Sequence, residues 1–265
     1  MKKIKLIKLL IVSLLISISN QDIIDDAVII KNRVWDGYET GVGAHYYAYS
    51  PYITGYTRVT SYIQLPNSLN TNQGKRNAYI SFGVLGLYGS IDTGIMNSGE
   101  GWKPYYYDIN YKKFISFKEY YAPQETSIVG IEIEVTSSRK IIFSLSFRAS
   151  NLFVLKSFST EIDASHILVY EDSIVKNRFY RFASLVPTET DNQNDRTYMI
   201  GGKFTGLTIV KNNRGETWGI AGDNIDVSWL VSSRRIKFSH QNDNEEFSII
   251  HEPNYFIKNK KVKSN

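Results

Sequence analysis

Eight side chains carry the chemistry available to this sequence. Five lie in residues 80–108, ISFGVLGLYGSIDTGIMNSGEGWKPYYYD: Tyr88, Asp92, Trp102, Tyr105 and Tyr107. Aromatic faces pack on sugar C–H groups and carboxylates accept bonds from sugar hydroxyls, so this set would suit a carbohydrate site. The same rings serve equally well as core and cross-strand packing. Gly86, Gly89 and Gly94 are interleaved with them and let a ligand or another chain segment come close to the backbone. Glu132 and Glu134 sit two residues apart in a strand pattern, which places their carboxyls on one face roughly 6–7 Å apart. Glycosidase carboxyl pairs stand ~5–9 Å apart, but they flank the bond and come from different strands. A charged outer strand face is therefore the plainer reading of Glu132 and Glu134, with a pairing of either one to Asp92 as the alternative. Arg181 completes the eight, as a charge partner for Asp92 or Glu132 inside a groove.

Other chemistries lack their residues. The chain has no cysteine, which removes disulfides, thiolate metal sites and cysteine nucleophiles. His45, His166, His240 and His251 form neither HxH nor HExxH, so no metal site is expected. There is no GxSxG elbow, no phosphate-binding GxxxxGK[ST] and no GxGxxG, so no cofactor is expected. The loops Glu189–Asp195 (ETDNQND) and Gln241–Glu246 (QNDNEE) carry oxygen ligands of the kind calcium takes. Neither follows the DxDxDG order, and both read as hydrophilic turns.

The elements that must position the eight are strands. Val129, Ile131, Ile133 and Val135 alternate with Gly130, Glu132 and Glu134, and Ile141, Phe143, Leu145 and Phe147 alternate with Ser144 and Ser146. The pattern predicts a hairpin of Ser127–Thr136 and Arg139–Phe147, each strand with one face toward a core. Further strands are expected at Ala27–Val34, Ala44–Ser50, Arg58–Leu65, Ala78–Val84, Gly86–Asp92, Lys103–Ile109, His166–Tyr170, Arg178–Leu185 and Lys203–Val210, and on to the C-terminal end. One helical turn is expected at Thr160–Ser165. Short strands separated by Asn/Gly turns predict an all-β, two-sheet jelly-roll sandwich in a single domain.

The ends of the 265-residue chain read differently from its body. Residues 1–19 carry four lysines, an apolar run from Leu9 to Ile18, and small residues at Ser17 and Ser19. That order predicts a signal peptide cleaved near Ser19 and a secreted product, with an uncleaved amphipathic helix as the alternative. The run of ~10 residues is too short for a span of ~20, so no integral membrane span is expected. Residues 20–257 form the expected domain and residues 258–265 a basic tail. The two ends hold eight of the 31 basic residues and no acid, which leaves 23 against 26 acidic side chains in the body. A nearly neutral body argues against a nucleic-acid partner.

Leu87–Asp92 (LYGSID), followed by Gly101–Tyr105 (GWKPY), resembles a strand pair of secreted concanavalin A-like jelly rolls. It is similar to the stretch of the glutamic peptidases that reads roughly L-Q-T-G-V-D before a W/Y-P segment. Arg178–Leu185 (RFYRFASL) and Gly201–Val210 (GGKFTGLTIV) resemble that family's second catalytic strand and its closing strand. Those peptidases use a Gln and a Glu. The resemblance places the Gln at Tyr88 and offers Tyr180 and Arg181 in the Glu strand, so it implies the fold and argues against the family's reaction. The run G-S-I-D-T-G before a Trp-centred turn also resembles an uncharacterised group of secreted Gram-positive proteins (YrpD-like).

The sequence thus predicts a secreted, non-catalytic protein that binds a glycan or cell-surface polymer through an aromatic concave face. The alternatives are a hydrolase on the same scaffold, either glycosidase or glutamic-type peptidase, and a β-rich toxin.

Overall fold

In the computed structural model of the chain, residues 44–50, 55–187, 196–218, 226–229, 236–241 and 244–250 are described. The segment 1–19, the strand candidate Ala27–Val34, the loop Glu189–Asp195, part of the loop Gln241–Glu246 and the tail 258–265 lie outside them.

The described chain forms β1 (Ala44–Tyr49), β2 (Tyr56–Gln64), β3 (Ser68–Asn70), β4 (Arg76–Gly86), β5 (Gly89–Asn97), β6 (Trp102–Asp108), β7 (Lys113–Ser116), β8 (Ile128–Val135) and β9 (Lys140–Arg148). It continues with β10 (Val154–Asp163), β11 (Val169–Glu171), β12 (Ile174–Pro187), β13 (Tyr198–Lys211), β14 (Arg214–Thr217), β15 (Asp226–Trp229), β16 (Ile236–Gln241) and β17 (Asn244–Ile250). A single 3-10 turn, Lys118–Tyr120, interrupts the strands. Two antiparallel sheets result. The first runs in the order β15, β1, β12, β4, β5, β6, β7, with β11 on β12; the second runs β10, β9, β8, β2, β13, β17, β16, with β3 and β14 on β13. The protein is an all-β, two-sheet sandwich, consistent with the jelly roll expected from the strand pattern.

Period-2 alternation decides what each sheet buries. In β4, Ala78, Ile80, Phe82 and Val84 point into the core and are fully buried. In β8 and β9 the core residues are Val129, Ile131, Ile133 and Val135, and Ile141, Phe143, Leu145 and Phe147, as the hairpin pattern requires. Aromatic rings close the space between the sheets. Phe82 of the first sheet meets Phe204 of the second edge-on at 5.3 Å, and Phe204 meets Phe247 at 5.2 Å.

Two expectations about elements change. Gly86–Asp92 is not one strand: Gly86 pairs with Gly89 across a two-residue turn at Leu87 and Tyr88. The side chain of Asn110 fills the place where a Cβ on Gly89 would stand and bonds the Tyr88 carbonyl, so the glycine fixes the turn through close approach. Thr160–Ser165 is not a helical turn, because β10 stays paired with β9 as far as Asp163 opposite Lys140. The tight turn comes just after, where Ile167 and Leu168 donate to the Ala164 carbonyl.

Candidate functional site

The residues of β4 that do not face the core define the outer face of the first sheet. Asp92 stands opposite Gly83 on one side and Tyr107 on the other, Tyr180 is opposite Gly83, and Phe114 is opposite Tyr107. One row thus reads Tyr180, Gly83, Asp92, Tyr107, Phe114 across five strands. The next row reads Phe182, Ser81, Gly94, Tyr105, Ser116.

Glycine makes both rows work. Strands lie ~4.8 Å apart, so Tyr180 and Asp92 are separated by roughly 10 Å of backbone. A tyrosine can close that distance only by lying across the intervening residue. A Cβ on Gly83 would fall 2.1 Å from the Tyr180 Cζ, so the absent side chain is the space the ring occupies. From there the Tyr180 hydroxyl donates to Asp92 Oδ1. At Gly94 the neighbouring strand takes the space instead: a Cβ there would lie 2.6 Å from Ser81 Oγ, and that hydroxyl shares a hydrogen bond of 2.6 Å with the Tyr105 hydroxyl. Tyr49 packs on Tyr180 at 5.5 Å, and the Arg178 guanidinium lies 4.9 Å from the Tyr49 ring.

This setting changes the acid. Burial pushes the Asp92 carboxyl up to about 7, and the Tyr180 hydrogen bond acts in the opposite direction. Burial also pushes the neighbouring Tyr79 phenol up to about 12, with the Asp92 charge adding to the effect. A carboxyl that titrates near neutrality is able to hold or release a proton under ordinary conditions.

The eight residues predicted from sequence do not form one cluster. Asp92, Tyr105 and Tyr107 share the outer face of the first sheet. Tyr105 is buried under Phe114, stacked at 5.5 Å, while Tyr107 is half-buried. Trp102 has the opposite parity in β6 and lies in the core. Tyr88 is 66% exposed at the tip of the β4–β5 turn. Glu132 and Glu134 lie on the outer face of the second sheet, opposite Thr60 and Arg58. Asp92 is therefore across the whole sandwich from both glutamates, and the pairing of Asp92 with either is corrected. The pairing of Arg181 with Asp92 or Glu132 is corrected too. Arg181 points inward, fully buried, with its guanidinium 2.5 Å from the Glu245 carboxylate and 4.5 Å from the Trp218 ring.

Sequence reasoning missed Tyr180 as the partner of Asp92. The available signal was Gly83, a glycine inside a strand that otherwise alternates, which marks a close approach. Gly83→Ala is expected to push the Tyr180 ring off Asp92 and destabilise the fold by about 1–3 kcal/mol through overpacking. Losing the tyrosine bond removes the influence that lowers the acid, so the Asp92 titration should move up from about 7. Side-chain carboxyl NMR shifts followed against pH would show it, and an unmoved midpoint would contradict the role given to Gly83.

Among the described residues, no three His, Asp or Glu side chains are grouped to hold a metal, and no helix is long and apolar enough to cross a membrane.

Fold and site together define a β-sandwich carrying a perturbed acid on the outer face of one sheet. No family model matches the sequence, and no curated protein matches it. Solved structures do match by shape. Scytalido-glutamic peptidase with a peptide-based transition-state analogue superposes with a TM-score of 0.55 at 9% identity, over 79% of this chain and 100% of that one. The same peptidase with a transition-state analogue inhibitor gives 0.51 at 10% identity, over 80% and 98%. SCP-B, a member of the eqolisin family of peptidases in complex with the tripeptide Ala-Ile-His, gives 0.49 at 11%, over 79% and 100%. The fold resemblance seen in the sequence is therefore present in the structure.

Proposed function

We propose that this chain is an exported hydrolase in which Asp92 is the proton-transferring group and a peptide bond the substrate. The observation that carries the reading is the Asp92 carboxyl itself, raised to about 7 by burial and bonded by the Tyr180 hydroxyl. Support for a peptide comes from the glutamic peptidases that share the fold, one of them holding a peptide-based transition-state analogue. Support for export is the order of charge, apolar run and small residues in positions 1–19.

The chemistry follows from where the proton goes. Ionised Asp92 accepts a proton from a water molecule as the water oxygen bonds to the acyl carbon. The C–N bond then breaks as Asp92 returns that proton to the leaving nitrogen, which restores the carboxylate. Tyr180 is a positioning residue: its hydroxyl fixes the orientation of the carboxyl. Half-buried Tyr107 and 43% exposed Phe114 continue the Asp92 row toward solvent, where a substrate side chain would pack.

The test is cleavage of a denatured protein and a random peptide pool by residues 20–265 between about pH 5 and pH 9. Cleavage should rise as pH passes through about 7, and Asp92→Asn should lower it by roughly 10²–10⁴-fold. Tyr180→Phe should move the midpoint of the pH profile upward, because the lost bond favours the charged acid. Absence of cleavage across this range, or Asp92→Asn at the native rate, overturns the reading.

A further inference from the structure

The outer face of the second sheet carries a surface of different chemistry. A groove of about 690 Å³ crosses β10, β9, β8, β2 and β13. Its floor is made of short hydroxyl side chains, Ser144 and Ser146 on β9 beside Ser157 and Ser159 on β10, with Gly130 on β8. A Cβ at Gly130 would fall 2.5 Å from Ser146 Oγ and 3.5 Å from the Tyr62 ring, so the glycine keeps the floor low where the ring begins. Ser144 and Ser159 hydrogen-bond each other at 2.9 Å.

Glu132 stands on this floor between Thr60 and Ser144. It is half-buried, and among the described residues its carboxylate makes neither an ion pair nor a hydrogen bond. One rim is Tyr62, 41% exposed, with the Arg148 guanidinium 5.6 Å from its ring. Arg148 spends Nε on Ser146 Oγ at 2.9 Å and one terminal nitrogen on the Leu152 carbonyl at 3.0 Å, which leaves N–H groups at the groove edge. Tyr120, packed edge-on against Phe158 at 5.0 Å, forms the other rim.

We propose that this groove binds a neutral glycan chain. Three features select the ligand. Hydroxyls that both donate and accept, together with one carboxylate seeking donors, match a chain dense in hydroxyl groups. The exposed Tyr62 ring, with half-buried Tyr120 on the other rim, matches the apolar faces of pyranose rings. Glu132 and Arg148 bring one charge of each sign to the groove, which favours neither an anionic nor a cationic polymer. An extended peptide fits less well: β9, β8 and β2 are each paired on both sides, so strand addition is open only along the outer edge of β10, which bounds the groove, and not across its floor. The site lies on the opposite face of the sandwich from Asp92, so it neither needs nor supports the hydrolytic reading. If both hold, the groove would keep the protein on a wall polymer while the other face works.

The probe is native affinity electrophoresis of residues 20–265 in gels cast with mixed-linkage β-glucan, galactomannan or glycol chitin. At least one neutral polymer should retard the protein. Glu132→Gln and Tyr62→Ala should each weaken that retardation by about tenfold or more. Both changes are mild for folding, since the first is isosteric and the second removes an exposed ring. Glu134→Gln, on the same face but outside the groove, should bind as the native chain does. No retardation in any of the three gels, retardation only in dextran sulfate, or full retardation of both groove variants overturns the proposal.

Discussion

Asp92→Asn is expected to make the sandwich more stable above neutral pH, by up to about 4 kcal/mol, and to leave it unchanged near pH 3. The sign follows from proton binding. The folded acid titrates at about 7 against an ordinary value of 3.8, so between these two values the native state holds a proton that the unfolded chain has released. Stability therefore falls as pH rises across that window, and it levels off once both states are ionised. Asparagine keeps an oxygen to accept the Tyr180 hydroxyl and has no charge to bury. Urea unfolding of both proteins near pH 3 and near pH 8 would measure the gap directly. Identical curves near pH 8 would mean that Asp92 is solvated in solution. A variant that gains stability while losing catalysis would mark Asp92 as a group retained for function at a cost in stability.

That acid was visible in the sequence only as one of eight candidates, and the reasons are physical. Alternation gave the sheets, because a strand with one buried face repeats every two residues. This is why the hairpin around Glu132 and Glu134 was legible in full. Alternation also ranked Tyr105 and Tyr107 on one face correctly and, read strictly, would have sent Trp102 to the other. What it could not give is which sheet a strand joins. Asp92 and Glu132 look like partners along the chain, yet β5 and β8 belong to different sheets and their outer faces point in opposite directions. The Tyr180 contact was equally hidden. It spans 88 residues of sequence and depends on a glycine in a third strand, and no local pattern encodes that. The turn at Leu87 and Tyr88 escaped for a similar reason: it is set by Asn110, a side chain from another hairpin. The hydroxyl groove was overlooked because serines on an outer strand face read as solvated surface until five strands bring them together.

Glu245→Leu is expected to destabilise the fold by about 3–5 kcal/mol, and Arg181→Met added to it should recover most of that loss. Arg181 and Glu245 form a cross-sheet ion pair, each essentially without solvent exposure. Removing the carboxylate takes a close, charge-assisted partner from a guanidinium that has no solvent exposure, and the Trp218 face 4.5 Å away is a weaker interaction than the one lost. Removing both charges instead avoids leaving either one buried without the other, at similar side-chain volume. Thermal and urea unfolding of the two single variants and the double would give the coupling. A Glu245→Leu protein within about 1 kcal/mol of native would show that the pair behaves as a surface ion pair does. The consequence reaches the site through β12. Arg181 and Tyr180 are consecutive, so parity sends one into the core and the other to the outer face beside Asp92. The ion pair ties β12 to β17 of the other sheet and thereby fixes where the Tyr180 ring crosses Gly83. In Glu245→Leu the Asp92 titration should shift together with the stability loss, and in the double variant both should return toward native.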